Sequence, residues 1–437
     1  NQAEPTPVAT PEPTPLPTAI PEPALDTLAV YPTAAQGTVH PYFFGSNYGP
    51  WVAVPVEMLP YAFDSGVQSI RFPGGAWGDR NELKPYQIDF FMDFAEQVGA
   101  FTTISVNLRD GTPEQAAELV RYVNLEKEYG VTYWAIGNEP TLFAAELQTS
   151  GRADDYDTEQ YNREWREFAE AMKAVDPTIQ LLGPEVHQFM PDPARNPKDS
   201  AGRDWMTEFL KANGDIVDVV TFHRYPFPRG TRDTTVTVED LREHSREWRE
   251  TIPYLRSLIE EHTGRDLPIA LTEVSTDYTP AVGGNATPDS HYAGIWLAEM
   301  FGQLMVQDVM MVNHWLLGTS GSQGGWGLIA RGGVRPTYYV YQLYKQFGTE
   351  LVYAASGVEN LSIYAAERED GALTIMVVNL ADEAQSATLQ LDGFAETEAE
   401  LWQLTAEQNP ETAAQITLAA EPLTFPAQSV SLLVINK

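Results

Sequence analysis

Short apolar runs rich in β-branched and aromatic residues alternate with amphipathic helical stretches from residue 41 to about 345. This alternation is typical of parallel strands joined by helices. Eight runs can be counted: YFFGSN (42–47), QSIRFP (68–73), FTTISVN (101–107), TYWAIGNE (132–139), IQLLGPE (179–185), VVTFHRY (219–225), IALTEVS (269–275) and VMMVNHW (309–315). They predict an α/β fold, a (β/α)8 TIM barrel, with helices such as the one that Thr112 caps and Pro113 begins.

The texture of the sequence changes on both sides of this region. After about residue 350, alternating strands separated by turn residues predict a C-terminal antiparallel β-sandwich domain. The first 25 residues repeat Pro with Thr, Ala and Glu, which favours an extended spacer, although a disordered tail fits as well. The predicted domains are a Pro/Thr-rich linker (1–25), a strand joining the sandwich (26–40), the barrel (41–348) and the sandwich (349–437).

Composition limits the partners and the location. Within 437 residues, 27 Lys and Arg oppose 61 Asp and Glu, so a formal charge of −34 argues against nucleic acid and anionic surfaces as partners. No apolar run is long enough for a transmembrane segment. The chain starts at Asn1, as a processed, exported protein would, although a trimmed chain would look the same. We therefore expect an extracellular or cell-surface location after bacterial-type export, with the linker as a possible tether.

Two glutamates end mostly apolar runs on opposite sides of the predicted barrel. The fourth run, WAIGNEP, ends in Asn138 and Glu139, and the seventh contains Glu273. The C-terminal ends of the strands form the mouth of such a barrel, so both carboxylates are expected in one cleft. Two facing carboxylates are what glycoside hydrolysis requires, about 5–5.5 Å apart when configuration is retained.

Further candidates line the same mouth. Arg71 ends the second run, where it could keep the nucleophile ionised, although pairing with a structural acid is an alternative. His223 and Tyr225 are two residues apart on one face of the sixth run, and Trp315 ends the eighth. Trp315 is the aromatic residue that we expect to stack on a sugar. The histidines show no spacing typical of a zinc site, so we expect no metal and no cofactor.

These residues resemble the clan of retaining glycoside hydrolases whose acid/base lies in an Asn-Glu-Pro motif after the fourth strand. Within it, the sequence is similar to the heparanase and β-glucuronidase family. It is also similar to the arabinofuranosidase and β-xylosidase families. The first likeness rests on GNEPTLF (137–143), LGPEVHQ (182–188), FLKANGDIVDVVTFHRYP (209–226) and LTEVSTDY (271–278), and the second on RFPGG (71–75) and the GNE core.

The resemblance implies roles for particular residues. Glu139 matches the general acid/base, Glu273 the nucleophile, and Asn138 the group that bonds the substrate 2-hydroxyl. We expect burial and the charge of Glu273 to raise the pKa of Glu139. A β-linked uronic acid is the sugar that the heparanase likeness implies, whereas the net charge favours a neutral or lightly charged polysaccharide. Alternatives are a transglycosylase and a non-catalytic carbohydrate-binding protein. The sequence leaves the oligomeric state open.

Overall fold

Eight short parallel strands close into a barrel in the computed structural model, as the sequence predicts. The first strand pairs with the last, with Phe44 opposite Val312, which completes the ring. The structure describes residues 22–145, 155–227, 236–280, 283–393, 397–418 and 421–436, so most of the predicted linker lies outside the described residues. The barrel strands are β2 (Phe44–Asn47), β3 (Ser69–Phe72), β4 (Phe101–Val106), β5 (Tyr133–Ile136), β6 (Gln180–Val186), β7 (Val219–Arg224), β8 (Ile269–Val274) and β9 (Met311–His314).

Helices cover the outside of the barrel. The predicted cap at the start of one helix is confirmed: Thr112 accepts the backbone N–H of Gln115, whose side chain accepts the N–H of Thr112 in return. None of the described helices combines the length and hydropathy that a bilayer span requires. Their bounds are α1 (Leu59–Phe63), α2 (Trp77–Arg80), α3 (Pro85–Val98), α4 (Pro113–Val120), α5 (Thr158–Val175), α6 (Trp205–Asn213), α7 (Val238–His244), α8 (Trp248–Thr263), α9 (His291–Met305) and α10 (Pro336–Tyr344).

A mostly antiparallel sheet of nine strands forms the second domain. Its first strand, β1 (Thr27–Thr38), precedes the barrel in the sequence and runs antiparallel to β12 (Glu350–Ser356) but parallel to β15 (Gln385–Leu391). The strands are β1 (Thr27–Thr38), β12 (Glu350–Ser356), β13 (Leu361–Glu367), β14 (Leu373–Asn379), β15 (Gln385–Leu391), β16 (Thr397–Leu404), β17 (Ala414–Leu418), β18 (Leu423–Phe425) and β19 (Ser429–Ile435). A small hairpin, β10 (Ile329–Ala330) and β11 (Gly333–Val334), precedes α10.

The sheet and the barrel share a hydrophobic core. On β14, Met376 and Val378 pack into the barrel core, whereas the alternating Ile375 and Val377 pack into a separate core inside the sheet domain. Both faces of this strand are therefore buried, which explains why LTIMVVN reads as a continuous apolar run. The sheet thus braces the helical side of the barrel and leaves the C-terminal ends of the barrel strands free to form the site.

Candidate active site

Glu139 lies beyond the end of its strand, in a turn that points it into the barrel mouth. Strand β5 ends at Ile136, and Gly137 follows with a φ of +81°. Glu139 itself has a φ of +50°, in the left-handed region that non-glycine residues rarely adopt. Its N–H donates to the carbonyl of Glu185 at 2.9 Å. This turn, which the predicted strand over 132–139 did not include, fixes the position of the carboxylate.

Glu273 faces Glu139 from within strand β8. Its side chain is 7% exposed, against 19% for Glu139. The hydroxyl of Tyr225, just after β7, donates to Glu273 at 2.7 Å. A carboxylate oxygen of each glutamate and a ring nitrogen of His223 all lie within 4.8 Å of one another. The two carboxylates therefore converge as expected, at a separation closer to that of retaining than of inverting glycosidases.

Arg71 divides its guanidinium between several partners and is fully buried. Its Nη1 donates to Asn47 at 3.1 Å and to Glu273 at 3.4 Å, and its Nη2 donates to Asn138 and Glu185, each at 2.9 Å. Arg71 thus contacts the predicted nucleophile, Glu273, and also pairs with another buried acid, Glu185. The ion pair with Glu185 is the shorter of the two.

Glu185 was missing from the residues predicted for the site. It follows Gly183 and Pro184 in β6, has no exposed side-chain surface, and has a φ of +57°. Burial alone would raise its pKa, but Arg71 and His223 outweigh burial and lower the pKa to about 2. The same rule that selected the other two glutamates, a carboxylate at the end of an apolar strand, would have found it in LLGPE.

His223 lies between all three carboxylates. Its Nδ1 is 3.1 Å from Glu139 and 3.7 Å from Glu273, and its Nε2 is 2.9 Å from Glu185. Burial would lower the pKa of this imidazole, but the three negative partners raise it to about 9. The ring is therefore protonated at neutral pH and serves as a second positive charge beside Arg71.

The proton distribution of the free site differs from the sequence expectation. Burial does raise the pKa of Glu139, but the hydrogen bond and charge of His223 outweigh it, so the pKa is lowered. The pKa of Glu273 is raised, by burial and by the charge of Glu139, against the opposing charges of His223 and Arg71. The expectation missed this because the sequence does not reveal that His223 bonds Glu139 directly.

The predicted aromatic platform lies beside these carboxylates. Trp315 is half-buried, and its ring stacks against Trp51 with 6.0 Å between centroids. Two glycines of the RFPGG stretch make room for it, because a Cβ on Gly74 or Gly75 would lie 2.9 or 2.5 Å from the Trp315 ring. Trp51 is 40% exposed. Trp315 is thus packed against Trp51 and the two glycines and remains partly exposed.

Asp79, on α2, is a second residue that the sequence did not single out. Its carboxylate accepts the backbone N–H groups of Leu108, Arg109 and Asn138 at 3.0, 3.3 and 2.8 Å. It therefore ties the loop after β4 to the turn that carries Asn138 and Glu139. Complete burial raises its pKa to about 7, although the three N–H groups act in the opposite direction.

Three of these side chains are close enough together to bind a metal ion. Within the described residues, Glu139, His223 and Glu273 form a group with ligand-type atoms within 4.8 Å of one another. These atoms are already paired with each other, with Arg71 and with Tyr225. Arg71 and His223 thus offset part of the negative charge of the two glutamates, and the expectation of no metal stays a prediction.

The proteins that comparison finds for this chain are glycoside hydrolases. No family model matches the chain. A β-xylosidase from Geobacillus stearothermophilus is 24% identical over an alignment of 242 residues that covers 52% of this chain and 44% of the relative. An intracellular exo-α-(1→5)-L-arabinofuranosidase from Halalkalibacterium halodurans is 26% identical over 184 residues, 39% of this chain and 32% of the relative. The matches thus span less than half the length of these curated relatives.

Solved structures share the fold over nearly the whole chain. The α-L-arabinofuranosidase from Thermotoga maritima, in an arabinose complex, superposes with a TM-score of 0.72 at 20% identity, covering 94% of this chain and 100% of that one. A family 44 xyloglucanase from Paenibacillus polymyxa gives a TM-score of 0.72 at 16% identity, covering 94% and 99%. At these identities the likeness establishes the fold, a barrel with an attached sheet domain.

The comparisons correct two expectations. They favour the arabinofuranosidase and β-xylosidase families over the heparanase and β-glucuronidase family, whose likeness rested on short stretches around the strand ends. The expected extracellular or cell-surface location is contradicted, because relatives from Halalkalibacterium halodurans, Streptomyces lividans and Bacillus subtilis are named intracellular enzymes. A Pro-rich composition makes a segment stiff, but it is not an export signal.

Proposed function

We propose that this protein is a retaining glycoside hydrolase that acts on α-L-arabinofuranosides or β-xylosides. The observation that carries the proposal is the convergence of Glu139 and Glu273, with carboxylate oxygens within 4.8 Å, at the mouth of the barrel. The sugar class is taken from the relatives, which are arabinofuranosidases and a β-xylosidase.

Glu273 is the nucleophile in this proposal. It is held by Tyr225 at 2.7 Å and by Arg71 at 3.4 Å, which orient one carboxylate toward the anomeric carbon. Its attack forms a covalent glycosyl-enzyme while the leaving group departs on the opposite side of the ring. Its burial among these donors limits its motion and keeps bulk water away from the bond that forms.

Glu139 is the acid/base. It is the more exposed of the pair, as a group that must meet both a leaving oxygen and a water molecule needs to be. In the first step it protonates the leaving oxygen, and in the second it removes a proton from water. Asn138 completes the set: its Oδ1 accepts from Arg71, whereas its buried Nδ2 has no partner among the described residues and is free to bond a substrate hydroxyl.

The test is hydrolysis of an aryl glycoside panel by the wild type and by variants. The panel holds an α-L-arabinofuranoside, a β-xyloside, a β-glucoside and a β-glucuronide. We expect cleavage of either the α-L-arabinofuranoside or the β-xyloside. NMR should show that the sugar is first released as the anomer with the same configuration as the substrate. Glu273→Gln should reduce cleavage to background. Glu299→Gln, a change at an equally buried glutamate in α9 outside the site, should not.

Glu139→Ala separates the second role from the first. It should slow the release of the covalent intermediate, and azide should restore turnover by yielding a glycosyl azide of retained configuration. Activity that persists in Glu273→Gln, or product of inverted configuration, would contradict the mechanism. Cleavage of the β-glucuronide alone would overturn the sugar assignment and leave the mechanism standing.

A further inference from the structure

Glu185 is a third buried glutamate in the site, and two-step glycoside hydrolysis has no direct use for it. Three donors converge on its Oε2: Arg71 Nη2 and His223 Nε2, each at 2.9 Å, and Thr272 Oγ1 at 3.0 Å. Its own carbonyl accepts the N–H of Glu139. A single residue thus contacts the guanidinium, the imidazole and the backbone of the acid/base.

The contact between Glu185 and His223 determines which nitrogen of the imidazole keeps its proton and which one exchanges it. Since Glu185 is ionised in the folded protein, it can only accept hydrogen bonds, so His223 must carry a proton on Nε2. That leaves Nδ1, 3.1 Å from Glu139, as the nitrogen that gains or loses a proton. Without Glu185, a neutral His223 could instead keep its proton on Nδ1 and lose it from Nε2.

We propose that Glu185 is a positioning residue that fixes His223 with Nδ1 toward Glu139 and thereby makes the imidazole the store of the acid proton. The proposal rests on the proposed function and adds a step to it. In the resting site the proton lies on His223 and Glu139 is a carboxylate. Before bond cleavage it crosses from Nδ1 to Glu139, and the imidazole keeps its Nε2 proton on Glu185.

The proton balance closes over one turnover. Glu139 passes the proton to the leaving oxygen as the glycosidic bond breaks and Glu273 bonds the sugar. When water attacks the glycosyl-enzyme, Glu139 takes a proton from that water, the bond to Glu273 breaks, and the proton returns to Nδ1. One proton leaves with the aglycone, one arrives from water, and His223 ends in its starting state.

The groups that set the titration of His223 all lie close to it, on five parts of the barrel. The carboxylates contact the ring directly, Arg71 acts through the carboxylates it shares with His223, and His187 and Tyr225 lie near the same charges. The charged and titratable groups around His223 are Arg71 on β3, Glu139 after β5, Glu185 and His187 at the end of β6, Tyr225 after β7 and Glu273 on β8. Of these, Glu185 alone bonds Nε2, so its removal changes one side of the ring only.

The experiment compares pH profiles of kcat/KM for the wild type, Glu185→Gln and the buried control Glu299→Gln. Two substrates with the same sugar are used, a dinitrophenyl glycoside that needs no acid and an alkyl glycoside that does. Loss of an ionic partner at 2.9 Å should move the basic limb for the alkyl glycoside down by about one pH unit or more. The limb should stay in place in Glu299→Gln, and the dinitrophenyl glycoside should respond weakly in every variant.

The outcomes are distinguishable. A uniform loss of activity at all pH values in Glu185→Gln, with an unmoved basic limb, would assign Glu185 a structural role and overturn the proposal. Failure of the wild type on every glycoside would instead overturn the proposed function.

A measurement on the unaltered protein covers the case in which Glu185→Gln does not fold. The chain has seven histidines, so ¹⁵N-histidine labelling gives few signals. That of His223 is assigned by its change in Glu139→Ala, which removes the partner of Nδ1. We expect both nitrogens to be protonated at neutral pH and the Nε2–H tautomer to remain at high pH. A neutral ring with its proton on Nδ1 would overturn the proposal.

Discussion

Replacement of Gly75 by Ala tests whether the floor beneath Trp315 matters for activity. Gly75 has a φ of +62°, and a Cβ there would lie 2.5 Å from the Trp315 ring, closer than carbon atoms normally approach. Gly99, at the end of α3, has a φ of +76°, but a Cβ there would meet nothing within 4 Å. Comparing Gly75→Ala with Gly99→Ala therefore separates the conformational cost of a positive φ from the effect of displacing the Trp315 ring.

Both substitutions carry a similar conformational penalty. An L residue in the left-handed region costs about 1–2 kcal/mol, so each variant should unfold a few degrees lower than the wild type. Gly75→Ala must in addition push the Trp315 ring away by about 1 Å to restore an ordinary carbon–carbon contact, and this is the ring that we expect to contact the sugar. Misplacement of a substrate-contacting group by about 1 Å can cost about 100-fold in rate.

The assay is kcat/KM on the aryl glycoside that the wild type cleaves, together with the apparent Tm of each variant. We expect Gly75→Ala to lose about 10- to 100-fold in kcat/KM and Gly99→Ala to stay within about twofold of the wild type. If both variants lose stability but have equal kcat/KM, Trp315 does not position the substrate and the reasoning is refuted.

Three further predictions concern Asp79, Tyr225 and the contact between barrel and sheet. Burial raises the pKa of Asp79 to about 7, so its contribution to stability is full below about pH 4 and is lost as pH rises to 7. The apparent Tm of the wild type, measured against Asp79→Asn, should therefore fall across that window, and a constant difference would contradict the shift. Tyr225→Phe removes a donor to Glu273 and should lower kcat/KM about 10- to 100-fold, whereas an unchanged value would exclude a role in orienting the nucleophile. Gly302→Ala places a Cβ 2.1 Å from the Tyr364 ring and should destabilise the protein by about 1–3 kcal/mol with kcat/KM unchanged, as thermal unfolding and kinetics would reveal.

The barrel could be predicted from sequence because each strand is a short apolar run followed by an amphipathic helix. The same periodicity located Glu139 and Glu273, since the polar residue after an apolar run marks the mouth. The exact end of β5 could not be predicted: it depends on Gly137, whose added Cβ would approach Leu108 to 3.0 Å, a contact distant in sequence.

Glu185 and Asp79 illustrate what sequence reasoning leaves out. Glu185 ends the predicted run IQLLGPE and fits the rule that selected Glu139 and Glu273, but its contacts with Arg71 and His223 join strands that are distant in sequence. Asp79 lies on a four-residue helix, and its partners are backbone N–H groups, which have no sequence signature. Both act through contacts between segments that are distant in the sequence and that the fold brings together.

The charge balance of the site connects these residues to the reaction we propose. Three carboxylates, those of Glu139, Glu185 and Glu273, face one guanidinium and one protonated imidazole, so one negative charge is left without a counter-charge among these groups. A neutral sugar does not supply a positive charge in the ground state, but the oxocarbenium-like transition state does. The excess negative charge therefore favours the transition state over the bound substrate, which is the difference that accelerates a reaction. Because Glu185 also occupies Arg71, it keeps that cation from neutralising Glu273 fully, and so it helps to leave the charge where the sugar becomes positive.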